Sequence, residues 1–354
     1  MAKILMKGNE AIGAAAIKAG CKYFFGYPIT PQNELPEYMA KEMPKIGGCF
    51  LQAESEVAAI NMVYGASGAG ARVMTSSSSP GIALKQEGIT YIAGAELPCV
   101  IVSIVRGGPG LGGIQPAQSD YFQSTRGGGN GDYKLLVYAP ANVQEMVDMV
   151  QEAFDAADYY RNPVMVVGDG MIGQMMEPIE FKEIGAGRGA KEKVWATVGT
   201  EGKRNPNIIN SLFLDPQDLE DHNVKLQAKY AEMKAKEARY ELYNMENPEV
   251  VLVAYGTTSR IVKNAIEGLK AEGINAGLIR PMTLWPFPDK AFAEIPASAK
   301  KVLSVEMSMG QMIEDVRLAL NGKLPVEFYG RSGGMVPTPD AIMNKVKEMI
   351  GGAK

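Results

Sequence analysis

Two rhythms of apolar and polar positions run through the first part of the chain. Residues 10–19 read as an amphipathic helix, 56–65 as a helix of small residues, and 82–93 and 143–159 as further helices. Between them, residues 23–27, 72–75, 100–105, 134–138 and 164–167 are short apolar runs of strand character. Strands alternating with helices in this way predict a parallel sheet covered on both faces. From 181 to 248 Lys, Glu, Gly and Asn dominate, and 215–245 reads as one charged amphipathic helix with several opposite-charge pairs. A second α/β pattern follows, with strands at 250–255, 276–280, 301–306 and 326–329 and helices at 259–272 and 309–321. The predicted architecture is α/β: two doubly wound, mostly parallel-sheet domains, 1–180 and 249–354, joined by a charged helical connector, 181–248.

Composition narrows the class. The 354 residues are 46% apolar and 21% charged, as in a globular protein. A net charge of −4 argues against nucleic acid or an anionic membrane as partner. Gly8, Asn9 and Glu10 break the only stretch resembling a signal peptide, and no later apolar run reaches membrane length. The expectation is a cytoplasmic protein. Cys21, Cys49 and Cys99 form no CxxC pair or ferredoxin-type run, so each is expected in the core and none on a metal. The single histidine, His222, lies in a charged stretch and is expected on the solvated surface.

Three clusters carry candidate chemistry. Tyr27-Pro28-Ile29-Thr30-Pro31 closes a strand, where ligands gather in parallel sheets. It also fits a helix cap at Thr30 with Pro31 at the first helical position. Glu56 opens a helix, where the helix dipole alone favours a carboxylate, so a functional and a purely local role both fit. Glu54, two residues earlier, points elsewhere and is not expected to form a carboxylate pair with it. Arg106 follows the apolar run 100–105 and precedes Gly107-Gly108-Pro109, a cation at a strand mouth beside backbone that a ligand can approach closely. Gly108, Gly110 and Gly113 match the GxGxxG dinucleotide spacing, but Gln115-Pro116-Ala117-Gln118 opens no long helix to receive a pyrophosphate.

Taken together and in order, YPITP, SEVAAINMVYGAS, TSSSSPG, RGGPG, the run Arg280 to Pro288 and the run Glu306 to Gln311 resemble the 2-oxoacid:ferredoxin oxidoreductases. The likeness is to the subunit that carries their thiamine-diphosphate pyrimidine-binding domain and a transketolase C-terminal-type domain. The segment Gly128 to Tyr133 is most similar to the branched-chain type. The resemblance implies that Glu56 hydrogen-bonds the aminopyrimidine ring of thiamine diphosphate, that Arg106 faces the substrate carboxylate, that Thr30 hydrogen-bonds the substrate and that Ser78 lies beside the cofactor. It also implies a shared cofactor, with Mg2+ and iron–sulfur clusters on partner subunits: a diphosphate-binding, a gamma-type and a ferredoxin-like subunit. Substrates would be a 2-oxoacid, coenzyme A and ferredoxin. Gly168-Asp169-Gly170 resembles the start of a magnesium–diphosphate motif, yet the asparagines that should follow near Trp195 are missing, and it reads as a turn after a strand. The rival expectations are the same chemistry on 2-oxoglutarate, a dinucleotide-binding dehydrogenase built on Gly108 to Gly113, and a non-catalytic subunit in which Glu56 only caps a helix.

Overall fold

The structure, a computed structural model, describes residues 3–181 and 192–351, so residues 182–191 of the expected connector lie outside the described residues. In chain order the first part supplies β1 (Ile4–Lys7), α1 (Gly8–Lys18), β2 (Tyr23–Gly26), α2 (Glu34–Glu42), β3 (Cys49–Gln52), α3 (Glu56–Gly68), β4 (Val73–Ser77), α4 (Ser79–Gly94), β5 (Cys99–Val105), α5 (Tyr121–Thr125), β6 (Leu136–Tyr138), α6 (Val143–Tyr160), β7 (Pro163–Asp169), α7 (Gly170–Gln174) and β8 (Met176–Ile179). The second part supplies α8 (Pro216–Glu237), β9 (Tyr240–Tyr243), β10 (Val250–Val253), α9 (Gly256–Ala271), β11 (Ala276–Pro281), β12 (Thr283–Trp285), β13 (Lys301–Glu306), α10 (Met312–Leu320), β14 (Val326–Gly330) and α11 (Pro339–Gly351).

The larger sheet has the strand order β12-β6-β7-β5-β4-β2-β3 and is parallel except for β12. Every residue of β5 and β7 is buried, as strands covered on both faces require. Their pairing runs from Cys99 opposite Pro163 to Val105 opposite Asp169, so both strands end at one level. The smaller sheet, β14-β13-β10-β11-β9, is parallel except for β9.

The two sheets share buried surface. Ile60, Ile82, Ile101 and Met165 belong to the same apolar cluster as Val251, Ile279, Val302 and Met312. On the other face of the larger sheet, α1 and α6 pack together with Leu226, Tyr230 and Met233 of α8. Polar clamps fix the relative placement. Arg280 of β11, 3% exposed, donates from its two terminal nitrogens to Glu145 of α6 at 2.8 and 2.9 Å and from Nε to Glu241 of β9 at 2.5 Å. Gln118 donates to the Tyr255 carbonyl at 2.9 Å and accepts from Thr258 Oγ1 at 2.8 Å and Met307 N at 3.0 Å.

Three expectations are corrected. The charged helix begins where its pattern places it, with Asp215 accepting from Gln217 N at 2.8 Å, but it ends at Glu237 and not at residue 245. Tyr240–Tyr243 instead form an edge strand on β11, held there by Lys263 and Arg280 through Glu241. The helix expected from 309 starts at Met312, because Gly310 takes φ +100° and the backbone N–H groups of residues 311–313 all point at Glu306. His222 is half-buried, stacked on Phe213 with ring centroids 4.6 Å apart and with Nε2 2.7 Å from the Gly94 carbonyl, so it docks α8 onto the larger domain. Cys21 and Cys99 are buried and burial pushes both thiols up to about 12; Cys49 is half-buried on the edge strand β3. No described helix is long and apolar enough to cross a membrane.

Candidate active site

The carboxyl end of β4 turns within one residue into α4, and the run Thr75 to Ser79 forms that turn. Ser78 occupies the cap position in extended conformation, and Pro80 sits in the first turn, where a missing N–H costs nothing. The hydroxyls then diverge. Ser76 Oγ donates to Gln32 Oε1 at 2.5 Å. Ser79 Oγ clasps the backbone of Arg106, accepting from its N at 3.0 Å and donating to its O at 3.1 Å. Ser77 Oγ and Ser78 Oγ are buried without a hydrogen-bond partner.

Glu56 is the first residue of α3. Ser55 is the cap, its Oγ accepting from Ala58 N at 3.1 Å. The Glu56 side chain is 6% exposed, and among the described residues its carboxylate accepts no hydrogen bond. Glu54 is exposed, so the two carboxylates face different surroundings. Gly81 in the first turn of α4 presses on this carboxylate: a Cβ there would lie 2.7 Å from Glu56 Oε1 and 2.0 Å from Ser77 Oγ. Only glycine lets the helix start so close.

Arg106 is 6% exposed at the end of β5. Its Nη1 donates to the Thr30 carbonyl at 2.9 Å and Nη2 to the Leu111 carbonyl at 3.2 Å, while Nε is buried without a partner. Thr30 does not cap a helix, because α2 starts only at Glu34; its Oγ1 accepts from Asn33 Nδ2 at 3.4 Å. The start of α4 thus gathers all four sequence-predicted residues. Gly81 meets Glu56, Ser79 holds Arg106, Arg106 holds Thr30, and Ser78 lies between.

Around them the glycine loop closes on itself. Gly107 N donates to Gln115 O at 3.0 Å and Gly113 N to Gly107 O at 2.8 Å, and a Cβ at Gly112, φ +58°, would strike the Gly107 carbonyl at 1.9 Å. No helix begins between Gly108 and Asp120, so the GxGxxG spacing meets no helix N-terminus. Gly168-Asp169-Gly170 is not the expected turn: Gly168 and Asp169 end β7 and Gly170 opens α7, with Asp169 capping it by accepting from Met171 N at 2.8 Å and Ile172 N at 3.3 Å. Sequence reasoning reached Ser79 only as part of the TSSSSPG motif, and it missed Gln32, Lys85 and Asp120. The Asp120 carboxyl is pushed up by burial beside Ser79 and its Oδ2 is unpartnered. Lys85 was visible as a lone cation inside an apolar helical run. Among the described residues no group of three His, Cys, Asp or Glu side chains could hold a metal ion.

Comparison with known proteins places this geometry. The family described as pyruvate flavodoxin/ferredoxin oxidoreductase, thiamine diphosphate-binding, matches residues 14–246, and pyruvate:ferredoxin oxidoreductase core domain II matches residues 248–342. The chain belongs to the 2-oxoacid:ferredoxin oxidoreductase family. As a member of that family it is an oxidoreductase subunit with a thiamine-diphosphate-binding domain. It is 49% identical to ketoisovalerate oxidoreductase subunit VorB of Methanothermobacter thermautotrophicus, over 99% of each chain. It is 36% identical to 2-oxoglutarate synthase subunit KorA of Methanocaldococcus jannaschii, over 96% of this chain and 98% of that one. Among solved oxidoreductases of the family, 2-oxoglutarate:ferredoxin oxidoreductase from Magnetococcus marinus superposes with a TM-score of 0.87 at 30% identity. That match covers 99% of this chain and 66% of the other.

Proposed function

We propose that this oxidoreductase subunit works in a coenzyme A-dependent, ferredoxin-reducing complex that oxidatively decarboxylates a branched-chain 2-oxoacid such as 3-methyl-2-oxobutanoate. The observation that carries the substrate choice is the gap between 49% and 36% identity, measured over nearly whole chains in both comparisons. A second reading, 2-oxoglutarate as substrate, draws on the fold match to the Magnetococcus marinus enzyme.

Thiamine diphosphate, when bound, supplies the electron sink that makes decarboxylation possible. The residues present fit its aminopyrimidine. Glu56 offers a buried carboxylate with no protein partner, and Ser77 and Ser78 offer buried hydroxyls with none. We assign Glu56 to the ring nitrogen, where it holds or returns one proton, and Ser78 to the same cofactor. Arg106 has five N–H donors and two are engaged by carbonyls, which leaves Nε and one hydrogen on each terminal nitrogen for the substrate carboxylate. The Thr30 hydroxyl, on the turn that Arg106 holds, hydrogen-bonds the substrate. The diphosphate with Mg2+, and the iron–sulfur clusters that pass electrons to ferredoxin, are assigned to the diphosphate-binding, gamma-type and ferredoxin-like partner subunits.

The test is a substrate panel on the purified complex. A kcat/KM for 3-methyl-2-oxobutanoate at least about tenfold above that for 2-oxoglutarate supports the branched-chain reading. The reverse order selects the second reading. No coenzyme A-dependent acceptor reduction with any 2-oxoacid overturns both.

A further inference from the structure

Lys85 is a buried amine that the proposed chemistry leaves unused. Its side chain is 0% exposed, and Nζ donates to Thr75 Oγ1 at 2.6 Å and to the Ser76 carbonyl at 3.2 Å. Among the described residues no carboxylate stands within ion-pair distance of it. A buried ammonium without a contact partner is disfavoured, so the charge that answers it is found one shell further out.

The packing of α4 against α3 locates that charge. Gly81, Lys85 and Gly88 lie on one face of α4, spaced by one turn each. Gly81 meets Glu56, and a Cβ at Gly88 would lie 2.5 Å from Ile60 Cγ2, one turn along α3 from Glu56. Lys85 therefore sits between the two points where the helices touch, directly behind the turn that borders the Glu56 carboxylate. We infer that Lys85 is the buried counter-charge of Glu56: a positioning residue set behind the carboxylate that faces the cofactor. The functional part of this inference rests on the assignment of Glu56 to thiamine diphosphate; the charge pairing does not.

Electrostatics agrees with the placement. Burial lowers the Lys85 amine to about 7, and Glu56 is the foremost group opposing that fall, followed by Cys99 of β5. The Cys99 thiol is itself pushed up to about 12 by burial and stays neutral near pH 7, which leaves Glu56 as the acting anion. The counter-charge is thus present on the acid side of neutrality and withdrawn on the alkaline side.

The experiment follows Lys85 in the full chain by NMR of lysine labelled with 13C at Cε, with Lys85→Met identifying its signal. Glu56→Gln removes the anion and should move the Lys85 midpoint down by roughly one pH unit, a tenfold loss of proton affinity. Glu54→Gln, at the exposed carboxylate, should leave the midpoint in place. A midpoint unchanged in Glu56→Gln, or moved equally by Glu54→Gln, overturns the pairing. In the assembled complex, Lys85→Met should erase a limb near neutrality from the pH profile of kcat/KM, and a Lys85→Met profile that keeps the wild-type limb overturns the positioning role. If Glu56→Gln complexes turned over at the wild-type rate while the Lys85 midpoint still moved, the cofactor assignment of Glu56 would fall and the pairing would stand.

Discussion

Glu56 and Glu306 are the same residue in the same kind of place: buried, at the carboxyl edge of a sheet, beside the first turn of a helix. Their surroundings are opposite. Glu306, 0% exposed, accepts from Ser304 Oγ at 3.0 Å, Ser308 Oγ at 2.7 Å and the backbone N–H groups of Gln311, Met312 and Ile313 at 2.9, 3.0 and 2.9 Å. Both its oxygens are spent on pinning α10 to β13. Glu56 is nearly as buried and accepts nothing from the protein, while the amine inferred to be its counter-charge is held at Thr75 and Ser76. A carboxylate with every lone pair committed is a structural rivet. One kept buried with its lone pairs uncommitted retains the capacity to bind and to exchange a proton. The difference separates two motifs that look equally good in the sequence.

The comparison can be broken at several points, and the widest swing is expected from Lys85→Met. The amine titrates near 10.4 in an unfolded chain and at about 7 when folded, so between these values the unfolded state holds the extra proton and wild-type stability rises with pH. Below about pH 7 both states are protonated and that gain is absent. The stability of wild type relative to the variant should therefore rise by on the order of 4 kcal/mol between pH 6 and pH 10.5. Denaturant unfolding across this range reads it, and a gap independent of pH contradicts a buried titrating amine. Next in size, Glu306→Leu strands three backbone donors that cannot turn away. A loss of at least about 3 kcal/mol is expected at roughly 1–3 per orphaned donor, while Glu56→Gln should cost no more than about 1 kcal/mol. Equal losses would erase the contrast between rivet and site.

Arg106→Lys comes third. A lysine cannot reproduce the fork that holds the Thr30 turn and is proposed to hold the substrate carboxylate, so kcat/KM for every 2-oxoacid should drop by a similar factor, roughly ten- to over a hundredfold. Selective loss of 2-oxoglutarate turnover would instead mean that Arg106 reads a distal carboxylate. Gly81→Ala is the mildest. The added methyl must displace Ser77 or Glu56, costing roughly 1–3 kcal/mol of stability and slowing turnover. Unchanged turnover would show that the close approach of α4 to Glu56 has no bearing on the site.

Much of this was legible in the sequence for a physical reason. Apolar runs such as 100–105 and 164–167 state their burial outright, and the strands that contain them, β5 and β7, are buried along their length. β9 and β12 were not legible, since strands of three or four residues take their state from their neighbours, here β11 and β6. The charged helix was overextended for the same reason, as Glu241 looks like a helical surface residue until Arg280 is seen against it. At the site, the positions of Thr30, Glu56, Ser78 and Arg106 were readable as motifs. What joins them was not. Ser79 to Arg106 spans 27 positions, and Arg106 to Thr30 spans 76. Run Arg280 to Pro288, read as a motif, proved to hold an interdomain clamp and a sheet edge.

The central claim, that the unpartnered carboxylate is the one that works, is tested most directly at the C2 carbon of thiamine diphosphate. Hydrogen–deuterium exchange there is measured in assembled complexes carrying wild-type chain or Glu56→Gln, with denaturant midpoints recorded for both chains. The account predicts exchange falling to that of the cofactor in water, with stability within about 1 kcal/mol of wild type. Exchange at the wild-type rate in a folded Glu56→Gln complex would contradict it.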